Sequence, residues 1–135
     1  MAVDFANLTA TLDRNPGGDH AAISAAAAAL KVALPSDYVE FLAYSNGAEG
    51  PIGSGAYIRL WSAQDLADDN ERYNVRKYAP GLVLFGSDAA DTAYGFDFRT
   101  QPPEVVTLPF IGMSFDTIEA RDRSFTEFLE RLGAS

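Results

Sequence analysis

The sequence contains no cysteine and a single histidine, and these two shortages exclude several kinds of chemistry. Without cysteine there is no disulfide framework, no thiol nucleophile and no thiolate metal site. One histidine cannot build a multi-histidine metal site, and no activated serine is apparent near His20. We therefore predict a surface position for His20 and neither a metal nor a cofactor.

Basic residues are also scarce, because ten lysines and arginines stand against nineteen acidic residues and give a net charge of −9. Such a surface repels nucleic acid and anionic lipid, and it attracts basic partners over a Debye length of about 8–10 Å at physiological salt. The composition therefore disfavours nucleic-acid and membrane binding. Solubility alone explains the same acidity equally well.

Long apolar runs are absent as well. The longest, residues 25–30, is mostly alanine and is far too short to span a bilayer. The N-terminal stretch has an early Asp4 and no continuous apolar segment, which does not fit a secretory signal. We expect a cytoplasmic protein, with which the lack of cysteine is compatible. Because no repeat, low-complexity segment or linker divides the chain, we predict a single domain over residues 1–135.

The sequence also lacks stretches that match three common enzyme and ligand-binding motifs. The glycine-rich stretch 47–55 lacks the lysine and hydroxyl residue of a P-loop, so it is predicted to be a structural turn. The serines in GSDAA and GMSFD do not fit the G-x-S-x-G elbow. Asp88 and Asp91 are separated by two alanines and no glutamate ends the stretch, which makes an EF-hand calcium loop a poor interpretation.

Each predicted helix combines an apolar stripe at i, i+3, i+4 and i+7 with a start or stop signal. The start signals are Asp19, Pro35 with Ser36, and the capping boxes Ser62–Asp65 and Ser124–Glu127. The stop signals are Gly47 and Gly133.

Elsewhere the apolar period is two, which is typical of strands. The predicted strands are AYIRLW, LVLFG, TAYGFDFR and PEVVTLP, and SDAAD forms a turn between the second and the third. Tyr94, Phe96 and Phe98 share one strand face and are predicted to be core, whereas Asp97 and Arg99 share the other and are close enough to pair. The order of elements predicts an α+β fold, a mainly antiparallel twisted sheet flanked by helices.

Three stretches, in this order, resemble the SUKH superfamily, named partly for the Smi and Knr cell-wall regulators of yeast. LPSDYVEFLAYSNG resembles its L-P-x-x-Y-x-x-F-L…N-G signature, LVLFGSDAADTAYGFDFR its strand–turn–strand segment, and SFTEFLERL its closing helix. The resemblance covers about residues 23–132. It implies a compact α+β domain that acts in bacteria as an immunity protein against a cognate toxin, often a nuclease, and in fungi as a regulatory scaffold.

The resemblance carries over no catalytic residue, since the family has none assigned. This sequence departs from the family in the turn, where Ala89 and Ala90 stand in place of frequent glycines. We expect Asp88 or Asp91 to adopt the left-handed conformation there instead.

Charge and resemblance together predict a non-enzymatic protein-binding module, an immunity protein whose acidic surface binds a basic toxin partner. The predicted partner-binding residues are Asp68, Asp69, Glu71, Asp88, Asp91, Asp116 and Glu119. Two alternatives remain open. One is a regulatory scaffold without a toxin, and the other is a small carboxylate-dependent hydrolase that pairs Asp97 with Asp116 or Glu119. Tyr57 and Trp61 are either core or an exposed recognition surface, and a small ligand near Trp61 also stays open.

Overall fold

The computed structural model describes residues 3–135 and arranges them around one antiparallel sheet of seven strands. Each strand pairs with the next one along the chain, so strand order equals sequence order. The strands are β1 (Asp13–Arg14), β2 (Ala48–Ile52), β3 (Ala56–Leu60), β4 (Leu82–Ser87), β5 (Thr92–Asp97), β6 (Glu104–Pro109) and β7 (Ala120–Asp122). The helices are α1 (Phe5–Leu8), α2 (His20–Leu30), α3 (Ser36–Tyr44), α4 (Ala63–Arg72), α5 (Val75–Tyr78) and α6 (Phe125–Ala134), with a 3-10 turn at Phe115–Thr117. The predicted α+β fold is confirmed.

Two predicted helix starts form, although at the second only the serine half of the predicted capping box is present within residues 3–135. The carboxylate of Asp19 accepts the backbone N–H of Ala22 at 2.7 Å, and the hydroxyl of Ser124 accepts that of Glu127 at 3.1 Å. Each satisfies one of the backbone donors that a helix leaves free in its first turn. Pro35 precedes α3 as its N-cap residue, without a side-chain capping bond.

The start of α4 differs from the prediction. Ser62 is its N-cap residue, but its side chain makes no capping bond. The side chain of Asn46 replaces it, because its Oδ1 accepts the N–H of Ala63 at 2.8 Å while its amide group donates to Gln64 at 2.7 Å. A residue from the loop between α3 and β2 therefore caps this helix, which local sequence alone does not indicate.

The prediction that Gly47 ends α3 is wrong. The helix ends at Tyr44 and continues into an extended Ser45. Gly47 has a φ of +87°, and a Cβ atom there would lie 2.7 Å from the carbonyl oxygen of Leu60, so glycine permits close approach to β3. The stretch 47–55 forms strand β2 over residues 48–52 and a turn over residues 53–55, so the predicted turn is confirmed only at its end.

Several short elements were not predicted. They are α1, α5, β1 and β7, and none exceeds four residues, too few to display a period. At the other end of the chain Gly133 lies inside α6, which runs on to Ala134, so the predicted stop there is wrong too.

An aromatic cluster forms the centre of the core, where α3 and α6 pack against the sheet. Tyr38 lies 5.0 Å from Phe96 and 5.0 Å from Phe125, measured between ring centroids, and Phe85 lies 4.7 Å from Phe96. Edge-to-face and tilted arrangements of this kind add to the gain from apolar burial. Phe98, the outermost member of the predicted core face, is half-buried and packs against the cluster.

Candidate partner-binding surface

A buried carboxylate is the natural place to look for catalysis, and Asp97 is the one charged residue in 3–135 that is buried. Its Oδ1 accepts the backbone N–H and Nε–H of Arg99, both at 3.0 Å. Its Oδ2 accepts Arg99 Nη2 at 3.0 Å and Arg121 Nη1 at 3.2 Å. Burial alone would raise the pKa of Asp97, but these hydrogen bonds outweigh it and hold the pKa below the ordinary value. The predicted pairing of Asp97 with Arg99 is confirmed.

This arrangement joins strands rather than activating a substrate. Arg121, on β7, bridges Asp97, on β5, to Glu104, on β6, through bonds of 3.2 and 3.0 Å. The carboxylates proposed as hydrolase partners, Asp116 and Glu119, are exposed and make no hydrogen bond to this group. An ionised carboxylate that already accepts four hydrogen bonds is poorly suited to transfer a proton.

The remaining candidates for site chemistry are clusters of possible metal ligands and His20. Across residues 3–135 no three histidine, aspartate or glutamate side chains lie close enough together to hold a metal ion. His20 is exposed, as predicted, and its ring lies 3.4 Å from the Ser24 hydroxyl.

The seven predicted partner-binding residues lie on three segments of the chain. Asp68, Asp69 and Glu71 are on α4, Asp88 and Asp91 are on the turn between β4 and β5, and Asp116 and Glu119 lie between β6 and β7. Asp69 and Asp88 are half-buried, and the other five are exposed.

The turn between β4 and β5 is shaped by Asp88. Its Oδ1 accepts the backbone N–H groups of Ala90 at 2.8 Å and Thr92 at 3.0 Å. The left-handed residue is Ala89, with a φ of +66°, and not Asp88 or Asp91 as expected. The reason is that the carboxylate of Asp88 ties down the residues after it and leaves the positive φ to the residue between. Asp91 is exposed.

A row of apolar side chains, which the sequence analysis did not identify, lies between α4 and this turn. Trp61 stacks on Tyr73 with centroids 6.2 Å apart, and Tyr73 packs on Phe110 at 4.5 Å. Ile111 follows and is 89% exposed. We call these four residues the aromatic ridge. The pair Phe110–Ile111, two large apolar residues between Pro109 and Gly112 in a loop, is the signal that was available in the sequence.

Backbone hydrogen bonds link one acidic residue to each of the two central members of the aromatic ridge, Tyr73 and Phe110. The N–H of Tyr73 donates to the carbonyl oxygen of Asp69 at 3.1 Å, and the N–H of Phe110 donates to that of Asp91 at 2.9 Å. The backbones of Asp69, on α4, and Asp91, in the turn, therefore lie next to the same pair of packed rings. We call the aromatic ridge with Asp69 and Asp91 the ridge surface.

Asp116 and Glu119 lie on the segment that follows Ile111 along the chain, where the Thr117 hydroxyl donates to the carbonyl oxygen of Gly112 at 3.2 Å. Asp116 lies in the 3-10 turn, whose Phe115 ring is covered by the guanidinium of Arg99 at 3.3 Å. The N–H of Glu119 donates to Thr107 on β6 at 2.7 Å. Within residues 3–135, neither carboxylate forms a hydrogen bond or an ion pair with a residue of the ridge surface.

The electrostatics of Asp69 set it apart within the ridge surface. Partial burial raises its pKa, and repulsion from Asp65 and Asp68 adds to this, while Arg72, 3.3 Å away, offsets it only in part. The folded protein thus disfavours the charge that Asp69 carries at neutral pH. A cation supplied from outside would relieve this cost.

Tyr57 and Trp61, which the sequence left open, have different environments. Trp61 is buried under Tyr73, at the base of the aromatic ridge. Tyr57 is 40% exposed and donates its hydroxyl to Glu49 at 2.7 Å, a carboxylate that also pairs with Arg59 at 3.1 Å. The hydrogen bond to Glu49 raises the pKa of Tyr57.

The fold and this surface define a small α+β protein with a seven-stranded meander sheet and a partly exposed row of apolar side chains. The chain belongs to the SMI1/KNR4 family (SUKH-1), whose family model matches residues 17–131. The suspected SUKH membership is thereby confirmed. No curated protein matches the chain. Membership is consistent with an immunity-type protein-binding module, in a family that is generally non-enzymatic. No helix in residues 3–135 has the length and apolarity that a membrane crossing requires.

Proposed function

We propose that this protein is a non-enzymatic immunity protein that binds and neutralises a cognate toxin with a basic surface. The ridge surface is the proposed contact, and the observation that supports it is that Asp69 and Asp91 accept backbone hydrogen bonds from Tyr73 and Phe110, two packed rings of which Tyr73 is 39% exposed. We further propose a cytoplasmic location and one domain over residues 1–135.

The aromatic ridge has the character of an interface anchor. Tyr73 is 39% exposed yet held on one side by Trp61 and on the other by Phe110, so its orientation is fixed before a partner arrives. Rigid aromatic side chains of this kind supply a large share of binding energy in protein interfaces. Ile111 offers a further apolar contact at the end of the row.

In this proposal the acidic residues orient the partner and raise the rate of association. With a net charge of −9, the protein attracts a basic partner over long range, and Asp69 and Asp91 place negative charge beside the anchors. Electrostatic attraction of this kind raises association rates by orders of magnitude at low salt. A nuclease toxin, whose substrate is a polyphosphate, presents the basic cleft that such a surface would occlude.

The test is binding to the toxin whose gene neighbours this one, measured by surface plasmon resonance between 50 and 500 mM salt. We expect wild-type affinity to fall steeply with salt. The charge-reversed pair Asp69→Lys/Asp91→Lys should lose at least about tenfold in affinity beyond the matched pair Asp116→Lys/Glu119→Lys, which changes net charge equally. Equal losses in the two pairs would overturn the ridge surface as the contact.

The neighbouring genes and the identity of the binding partner distinguish the remaining alternatives. A gene neighbourhood without a toxin, together with a binding partner of another kind, would favour the regulatory scaffold. The hydrolase alternative relied on Asp97 as half of a catalytic pair, and the four donors around that carboxylate argue against it.

A further inference from the structure

A groove of about 670 Å³ lies apart from the aromatic ridge, between α2, α4, α5 and the start of β4. Its floor is apolar and is formed by Leu30, Val32, Leu82, Val83 and Phe98. Its volume falls within the roughly 300–1,000 Å³ range of protein ligand sites.

The groove exists because one edge of β4 is not covered by a strand. β3 pairs with β4 only at Gly86 and Ser87. Beyond them the buried side chain of Asn70 takes the place of a strand, since its Oδ1 accepts the N–H of Leu84 at 2.8 Å and its Nδ2 donates to the Leu84 carbonyl at 2.9 Å. Asn70 thus satisfies the strand edge while leaving the neighbouring floor open.

The rim of the groove is basic, in contrast to the rest of the protein. Arg76 and Lys77 are exposed and take part in no ion pair among residues 3–135. The lining contains one acid, Glu71, so two positive charges against one negative give an excess of one positive charge in a protein whose net charge is −9. Asn74 adds an exposed amide on the same rim, in the left-handed conformation with a φ of +54°.

We propose that this groove binds a short acidic segment of a partner protein, with an apolar side chain on the floor and carboxylates at Arg76 and Lys77. Charge complementarity carries the choice of occupant, because the acidic protein as a whole repels such a segment, whereas this rim offers it two adjacent exposed cations that no carboxylate within residues 3–135 pairs with. The floor gives the apolar side chain a place to be buried. The proposal is independent of the ridge surface, which calls for a basic partner.

The probe is a panel of fluorescein-labelled nine-residue peptides with a central Leu or Phe flanked by Asp and Glu, each matched to a peptide with Lys at the acidic positions. Fluorescence anisotropy at low salt reports binding. We expect acidic peptides to bind and their lysine counterparts to bind at least tenfold more weakly. If no acidic peptide binds better than its lysine counterpart, the proposal is wrong.

Variants then locate the binding. Arg76→Glu/Lys77→Glu should lose at least tenfold in affinity, whereas Arg14→Glu/Arg123→Glu, with the same change in net charge at exposed sites elsewhere, should lose much less. Val32→Asp should also weaken binding, with circular dichroism confirming that each variant folds. Equal losses in the two charge-reversed pairs would overturn the proposal. Unchanged peptide binding by Asp69→Lys/Asp91→Lys would show that the groove binds the peptide independently of the ridge surface.

Discussion

Asp97 and Asp69 are the same side chain in two opposite situations. Asp97 is fully buried, and two arginines donate to it and lower its pKa. Asp69 is half-buried on α4, where burial and two neighbouring acids raise its pKa and only Arg72 opposes them. The comparison shows that burial alone does not decide how costly it is to keep a carboxylate ionised in the folded protein. The number of hydrogen-bond donors around the carboxylate matters more. Asp97 accepts four hydrogen bonds from two arginines, whereas Asp69 has one cationic partner within residues 3–135, Arg72 at 3.3 Å.

The largest expected effect follows from removing the satisfied carboxylate. Asp97→Asn should lower the free energy of unfolding by about 2–4 kcal/mol, because an amide cannot accept the same four charge-assisted bonds. The effect stays below the extreme for a buried pair, since the side chains of Arg99 and Arg121 are 47% and 39% exposed and can be hydrated. Urea unfolding measures it, and Asp116→Asn is the exposed control, expected within about 0.5 kcal/mol of wild type.

The pH dependence of stability gives the same prediction a second readout. The folded pKa of Asp97 lies below its unfolded value of 3.8, so its contribution is fully present above that value and is lost as pH falls through the folded pKa. Wild type should therefore lose more stability than Asp97→Asn between about pH 4 and pH 2. Parallel curves for the two proteins would contradict the ion-pair assignment.

The next largest effect is on the affinity for a partner, without a change in stability. Ile111→Asp should reduce affinity for a toxin partner about 10- to 100-fold, because it places a charge where the ridge surface offers an apolar contact. The free energy of unfolding should change by less than about 0.5 kcal/mol, as Ile111 is 89% exposed. Tyr78→Ala is the matched control, an exposed apolar residue on α5 outside the aromatic ridge. An equal loss of affinity in that control would contradict the prediction.

A smaller effect sharpens the comparison inside the core. Tyr38 is completely buried in the aromatic cluster, and its hydroxyl has no hydrogen-bond partner among residues 3–135, whereas Asp97 has four donors. Burial raises the pKa of Tyr38, which therefore stays neutral. Tyr38→Phe should leave stability unchanged or increase it by up to about 1 kcal/mol, because it removes an unsatisfied polar group and keeps the ring. A clear loss of stability in urea unfolding would show that the hydroxyl has a partner.

Sequence patterns sufficed where the decisive interactions are local. Asp19 lies three residues before the N–H that it caps, and Tyr94 and Phe96 alternate with Asp97 along one strand, so caps and core face were predictable. The Asp97–Arg99 pair spans two residues and was predictable for the same reason.

Interactions between distant residues were not predictable. The cap of α4 comes from Asn46, seventeen residues before the N–H it accepts, and Arg121 reaches Asp97 across 24 residues. The aromatic ridge is of this kind, because Tyr73 and Phe110 meet only once the strands between them have paired. A single sequence shows which acids exist, while the fold decides which of them lie beside an apolar anchor.

The smallest effect on stability returns to Asp69. Its folded pKa lies above the unfolded value of 3.8, so any contribution to stability is present below that value and is lost as pH rises, which means that the ionised group opposes folding at neutral pH. Asp69→Asn should therefore change the free energy of unfolding by only about 0 to +0.5 kcal/mol, since relief of repulsion is partly offset by loss of the Arg72 pair.

The same substitution should slow association with a basic partner several-fold at low salt and have little effect at high salt, as measured by stopped flow. Asp116→Asn, which removes one charge elsewhere, should slow it less. A loss of more than about 1 kcal/mol of stability in Asp69→Asn would mean that this carboxylate, like Asp97, serves the fold. A stability-neutral substitution that slows binding would instead place Asp69 among the residues that serve the partner, at a small cost to folding that the partner's cations offset.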